Sequence, residues 1–152
     1  MTDASGRSRN STGAAARAVS VETRIPIRSD GDIVAARQSG REQATKLGFS
    51  LSESTLIAAA ISELARNIVV YAGQGEVLLR SVDSTEGRGI ILIARDEGPG
   101  IADLQVVLQD GFSTSRGLGL GLPGVRRLMD EFEIESQNGK GTVVRVKKWI
   151  KR

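Results

Sequence analysis

The chain contains no cysteine and no histidine. Disulfides, thiol nucleophiles, Cys/His zinc sites, a Ser-His-Asp triad and a phosphohistidine carried on this chain are therefore all excluded. Aromatic residues make up only 3% of the 152 positions, so Val, Ile, Leu and Ala must fill the interior. An excess of one charge is also lacking: 21 basic against 18 acidic residues leave a formal net charge of only +3. Arg7, Arg9 and Arg17 against Asp3 leave +2 of that in residues 1–20, and the balance gives no reason to expect a nucleic-acid surface. No apolar run approaches the ~20 residues of a membrane span, and Met-Thr-Asp lacks the basic start and apolar centre of a signal peptide. A cytoplasmic protein without membrane contact is expected.

What is abundant is glycine. Half of the 18 glycines fall between Gly87 and Gly124. The length suits one domain with a proper core and is short for two. Residues 1–20, rich in Ser, Ala, Gly and Arg, read as a disordered tail ahead of a domain at 21–152. Val21 to Arg28 alternates as a strand does, and Pro26 places it at a sheet edge. Asp30 or Asp32 can cap a helix that runs through Leu47 to a closing Gly48. A second helix follows, with Ser52 as its N-cap and Gly73 as its stop. Glu76–Val82 and Gly89–Arg95 read as strands joined by a polar turn from Asp83 to Arg88, the second apolar enough to be central. A short helix is expected over Ala102–Gln109, then a loop from Asp110 to Gly117. The spacing predicts a helix over Leu120–Glu131, with Pro123 in its first turn. A closing hairpin pairs Phe132–Gln137 with Thr142–Trp149.

Chemistry concentrates in four places. In Ile61–Ala72, Glu63 and Asn67 stand four residues apart and leave one helix face about 6 Å apart along the axis. One can take a proton; the amide oxygen of the other can bind a hard cation. A lone E-x-x-x-N is otherwise an ordinary polar pair. Asp96-Glu-Gly-Pro-Gly100 ends the most buried strand, where a carboxylate can accept from an exocyclic amine such as adenine's. Gly98 and Gly100 would let the backbone pass close to a flat base, although the same pattern also makes a plain β-turn. Gly117-Leu-Gly-Leu-Gly121-Leu122 runs into a helix, so its backbone N–H groups can meet phosphate oxygens while its leucines anchor the loop. Gly139-Lys-Gly-Thr142 is sufficiently explained as a hairpin turn unless the other three are right. Gly119–Gly124 also matches the dinucleotide pattern G-x-G-x-x-G, but a loop stands where that motif needs a strand.

Taken in order, E-x-x-x-N, D-x-G-x-G, G-x-G-x-G and G-x-G-T resemble the GHKL (Bergerat) ATP-binding fold of gyrase, the Hsp90 chaperones, histidine kinases and MutL. The resemblance implies a two-layer α/β sandwich, with a mixed, mostly antiparallel sheet and helices on one face. It further implies that Asp96 reads the adenine amine with help from Thr142, and that Gly98 and Gly100 border the base. Asn67 would hold Mg²⁺ against the phosphates of ATP, with Gly117, Gly119, Leu120 and Gly121 at a mobile lid. Glu63 would be the general base. Arg116 beside those glycines is a solvated loop arginine or a γ-phosphate contact.

Within that group the chain is similar to the small bacterial kinases that switch sigma factors, the stressosome serine/threonine kinases among them. The segments that carry this are DIVAARQ at 32–38, AISELARN at 60–67, DEGPGI at 96–101, DGFSTS at 110–115 and GLPGVRRLMDEF at 121–132. The resemblance implies an ATP- and Mg-dependent serine/threonine kinase acting on STAS-domain (anti-sigma-antagonist) proteins. It also implies a phosphatase partner that is activated by binding. An anti-sigma factor of the same fold and a non-catalytic nucleotide-binding module are the alternatives.

Overall fold

A computed structural model describes residues 19–85, 87–101 and 121–150. In chain order the elements are β1 (Val19–Ile27), α1 (Asp30–Leu47), α2 (Leu51–Ala72), β2 (Gly75–Ser84), β3 (Gly87–Asp96), α3 (Gly121–Leu128), β4 (Glu131–Gln137) and β5 (Gly141–Trp149). The strands form one sheet in the order β1-β2-β3-β5-β4. Every pairing among the described residues is antiparallel, so no parallel pair of the expected mixed sheet occurs there. β1 lies at an edge, as Pro26 requires, and the apolar β3 is central. β1 begins at Val19, so the boundary drawn at residue 20 falls inside it.

Alternation along the strands decides which face the helices cover. Ile25 and Ile27 of β1, Val77 and Leu79 of β2, Ile90, Leu92 and Ala94 of β3, and Val144 and Val146 of β5 share one face. They join Ile57, Ile61, Leu64 and Ile68 of α2 and Leu122 and Val125 of α3 in a single core. The opposite face carries cross-strand ion pairs, Arg80 with Glu22 and Arg24 and Arg95 with Glu76. Two layers result, with the helices on one side.

Helix ends differ from expectation in informative ways. The α1 N-cap is Ser29, while the Asp32 carboxylate accepts the Arg28 N–H at 2.9 Å. Gly48 closes α1 at φ 106°. The α2 cap is Ser50 and not Ser52: its Oγ accepts the Glu53 N–H at 3.1 Å. Ser50 has a glutamate three residues on, the capping-box arrangement, whereas Ser52 has Thr55 there. α3 stops at Leu128 and not Glu131, because Glu131 already pairs with Lys147 as the first residue of β4. The Lys148 Nζ donates to the Leu128 carbonyl at 2.8 Å and so satisfies the helix end. The turn after β2 is tighter than Asp83–Arg88, since the strands run to Ser84 and resume at Gly87.

The expectation that no apolar stretch nears membrane-spanning length needs one qualification. By length and composition the 22 residues of α2 could cross a membrane. In this fold half of that stretch is buried within the protein, and α2 is the core helix laid along the sheet. The expected short helix at 102–109, the loop at 110–117 and most of the tail lie outside the described residues.

Candidate functional site

α2 lies across the centre of the sheet, so the polar residues on its inner face are held at the sheet's end. Glu63 is 4% exposed. Its Oε1 accepts the Gly121 N–H at 3.1 Å, and its Oε2 pairs with the Arg66 guanidinium. A buried carboxylate is stable only with such partners. Here they tie α2 to the first residue of α3. Asn67 follows one turn later, and its Oδ1 is buried without a hydrogen-bond partner among the described residues. An orphaned buried acceptor costs free energy unless something fills it. An amide oxygen so placed fits a hard cation, and this fit rests on the chain's own geometry.

Asp96 ends β3. Its Oδ1 accepts the Gly98 N–H at 2.9 Å. Burial pushes its carboxyl above the ordinary value of 3.8, while the backbone N–H groups of Gly98 and Thr142 oppose that rise. Two oxygens leave it with capacity for a further donor. Asp96 and Asn67 line one narrow cavity together with Leu64, Tyr71, Leu122 and Thr142. Its volume is about 20 Å³, room for a single water and too small as it stands for a nucleotide base. A larger void of about 690 Å³ lies beyond Gly98 and also touches Asp96. Asn67 does not line it, Glu63 lines neither cavity, and the ion pairs of Glu76 with Arg24 and Arg95 occupy its wall. The narrow cavity is the one that brings Asn67, Asp96 and Thr142 together.

The glycines were expected to clear space for a base. In the structure they first clear space for the chain. A Cβ on Gly98 would stand 2.5 Å from the Ala72 Cβ, and one on Gly100 2.3 Å from the Gln137 carbonyl oxygen. One on Gly141, where φ is 109°, would meet the Asp96 carbonyl oxygen at 2.2 Å. The Gly139 N–H also donates to the Pro99 carbonyl. The Asp96–Gly100 loop, the 138–141 hairpin and the end of α2 therefore interlock. Of the residues expected at the phosphates, Gly121 is described, and its N–H is held by Glu63; Gly117, Gly119, Leu120 and Arg116 lie outside the described residues.

Thr142 lies directly across from Asp96 on β5. Its hydroxyl is 2.8 Å from the Oγ of Ser136, its partner on β4. Ser136 also accepts the Ile101 N–H at 2.7 Å. Sequence reasoning missed Ser136 and Tyr71; it named Leu122 only as a loop anchor and Ile101 only within DEGPGI, and placed neither at this cavity. Counting outward from the Asn138–Lys140 turn pairs Ser136 with Thr142, and that count was the available signal.

A protein-family model described as "Histidine kinase-, DNA gyrase B-, and HSP90-like ATPase" matches residues 52–152. The chain belongs to this ATPase family. It is 51% identical over 127 residues to the serine/threonine-protein kinase RsbT of Bacillus subtilis, across 84% of this chain and 96% of that one. This makes it an RsbT-like serine/threonine kinase homologue. An anti-sigma F factor of Thermoanaerobacter sp. is 32% identical over 111 residues, covering 70% of this chain and 78% of that one. A crystal structure of the RsbU and RsbW domains of a Mycobacterium tuberculosis protein superposes with a TM-score of 0.62 at 17% identity. It covers 88% of this chain and 33% of that longer chain, and it shows the same fold. The family is ATP-binding, and the α2–β3–β5 cavity lies among its matched residues.

Proposed function

We propose that this chain is a cytoplasmic kinase that transfers the γ-phosphoryl group of ATP to a serine or threonine hydroxyl of a STAS-domain protein. The observation that carries the reading is the buried, unpartnered Asn67 oxygen one turn from the buried Glu63 carboxylate. Asp96 takes the adenine amine, and Gly98 and Gly100 keep the base end of the site compact. Gly117, Gly119, Leu120 and Gly121 are the glycine segment that would meet the phosphates. Mg²⁺ held by Asn67 would supply charge neutralisation at the phosphates. As the substrate oxygen attacks the γ-phosphorus and the bond to ADP breaks, Glu63 accepts the hydroxyl proton. Its contacts with Gly121 and Arg66 fix the carboxylate's orientation and leave lone pairs for that proton.

The likeness to RsbT, nearly end to end, supports this reading and a switch role in stress signalling, in which the kinase also binds and activates a phosphatase. The match to anti-sigma F factors supports a second reading, sequestration of a sigma factor combined with phosphorylation of its antagonist. Incubating the chain with ATP, Mg²⁺ and STAS proteins of its own cell tests transfer, and pull-down from the lysate separates the readings. A STAS protein and a phosphatase in the eluate support the first; a sigma factor bound directly supports the second.

A further inference from the structure

Three polar side chains form a row across the end of the sheet. Asp96 on β3 faces Thr142 on β5, which faces Ser136 on β4. All three fall on the helix-covered face, in step with Ala94, Val144 and Ile134. Ser136 is the hub of the row. Its Oγ accepts the Ile101 N–H at 2.7 Å, lies 2.8 Å from the Thr142 Oγ1 and donates to the Gly141 carbonyl oxygen at 3.2 Å.

A serine hydroxyl has one hydrogen and two lone pairs. Either hydroxyl can donate across the 2.8 Å contact, but only with the Ser136 hydrogen on Gly141 and the Thr142 hydrogen on Ser136 do both bonds form at once, and we take that arrangement. The Ser136 oxygen then accepts twice and donates once, which satisfies it completely. Thr142 has spent its only hydrogen away from the cavity, and its oxygen offers lone pairs toward it. Asp96, beside it on the next strand, is also an acceptor. The cavity end therefore presents two neighbouring acceptors. An exocyclic amine has two hydrogens to give them; a carbonyl oxygen in the same place meets only lone pairs.

We propose that Ser136 is a positioning residue that sets base specificity. By holding the Thr142 hydrogen it makes Thr142 an acceptor, so the site takes 6-amino purines and rejects 6-oxo purines. The inference rests on the reading of Asp96 as the carboxylate that faces the base.

The test is calorimetric binding of ATP and of inosine triphosphate, which carries a carbonyl in place of the amine, to the full chain. Ser136→Ala frees the Thr142 hydrogen to turn toward the cavity. ATP affinity should fall about three- to tenfold, the loss of one neutral hydrogen bond, while inosine triphosphate loses nothing or gains. The ratio of the two affinities therefore narrows. Ser136→Thr keeps the hydroxyl and restores the ratio. Thr142→Val removes the acceptor itself, narrows the ratio without involving Ser136, and carries the test if Ser136→Ala does not fold. Adding Ser136→Ala to Thr142→Val should then change the ratio no further. A purely structural role would weaken both nucleotides equally. An unchanged ratio in Ser136→Ala, or in Thr142→Val, overturns the proposal. Asp96→Asn distinguishes the two levels: if it loses ATP affinity while Ser136→Ala keeps the ratio, only this inference fails. If Asp96→Asn binds ATP as tightly as the wild type, the reading of the base site fails and takes the inference with it.

Discussion

Asp96 is half-buried, which pushes its carboxyl up, and it is held by the Gly98 N–H, an arrangement that suits the proposed reading of a base. Asp96→Asn keeps the shape and removes the charge. A hydrogen bond to a charged group is worth on the order of 1.5–3 kcal/mol, so ATP affinity should fall about ten- to a hundredfold by calorimetry. The raised carboxyl also sets a pH dependence of known sign. The folded state holds this proton more tightly than the unfolded chain does. Its contribution to stability is therefore greatest below the ordinary value of 3.8, declines as pH rises toward the raised folded value, and is flat above. Melting curves across that window should show the wild type losing stability relative to Asp96→Asn as pH rises. Parallel curves would mean that burial does not perturb this group. ATP affinity moves the opposite way, falling as acid protonates the acceptor.

The elements show what a linear reading catches and what it misses. The central strand, the edge strand with Pro26, the closing hairpin and the helix carrying Glu63 and Asn67 were legible, because period and turn chemistry act locally. The end of α3 was not. Met129-Asp130-Glu131 suits a helix by propensity, but the Asp130 carboxylate accepts the Trp149 N–H at 2.8 Å, and its own N–H donates to the Lys147 carbonyl. Those bonds join residues far apart in sequence, and tertiary pairing overrides propensity. The glycines were legible as a cluster but not in their use: Gly98, Gly100 and Gly141 pack against Ala72, Gln137 and Asp96, neighbours that only the fold supplies. The cap at Ser50 was legible in principle through Glu53. Ser50→Ala should cost about 0.5–2 kcal/mol and lower the melting temperature by several degrees, whereas Ser52→Ala should leave it nearly unchanged. Equal losses from the two substitutions would contradict the assigned cap.

At the scale of the molecule, one sheet face carries the core and the ends of β3 and β5 carry Asp96 and Thr142, with α2 as the beam laid along them. Residues 1–18 contain no Val, Ile, Leu or aromatic side chain. A chain starting at Val19 should keep its melting temperature within a few degrees and its ATP affinity unchanged. A larger drop on truncation would show that those residues dock on the domain. What the whole arrangement is held to do is move a phosphoryl group onto a protein hydroxyl, with Glu63 as base. The most direct measurement is the rate of phosphate transfer from ATP to a STAS partner by wild type, Glu63→Gln and Asn67→Asp, each with ATP affinity measured alongside. General-base catalysis supplies ~10²–10⁴-fold, so Glu63→Gln should transfer more slowly by that factor with ATP affinity nearly unchanged. Asn67→Asp should instead alter the Mg²⁺ dependence together with the rate. Transfer at the wild-type rate by Glu63→Gln would contradict the account.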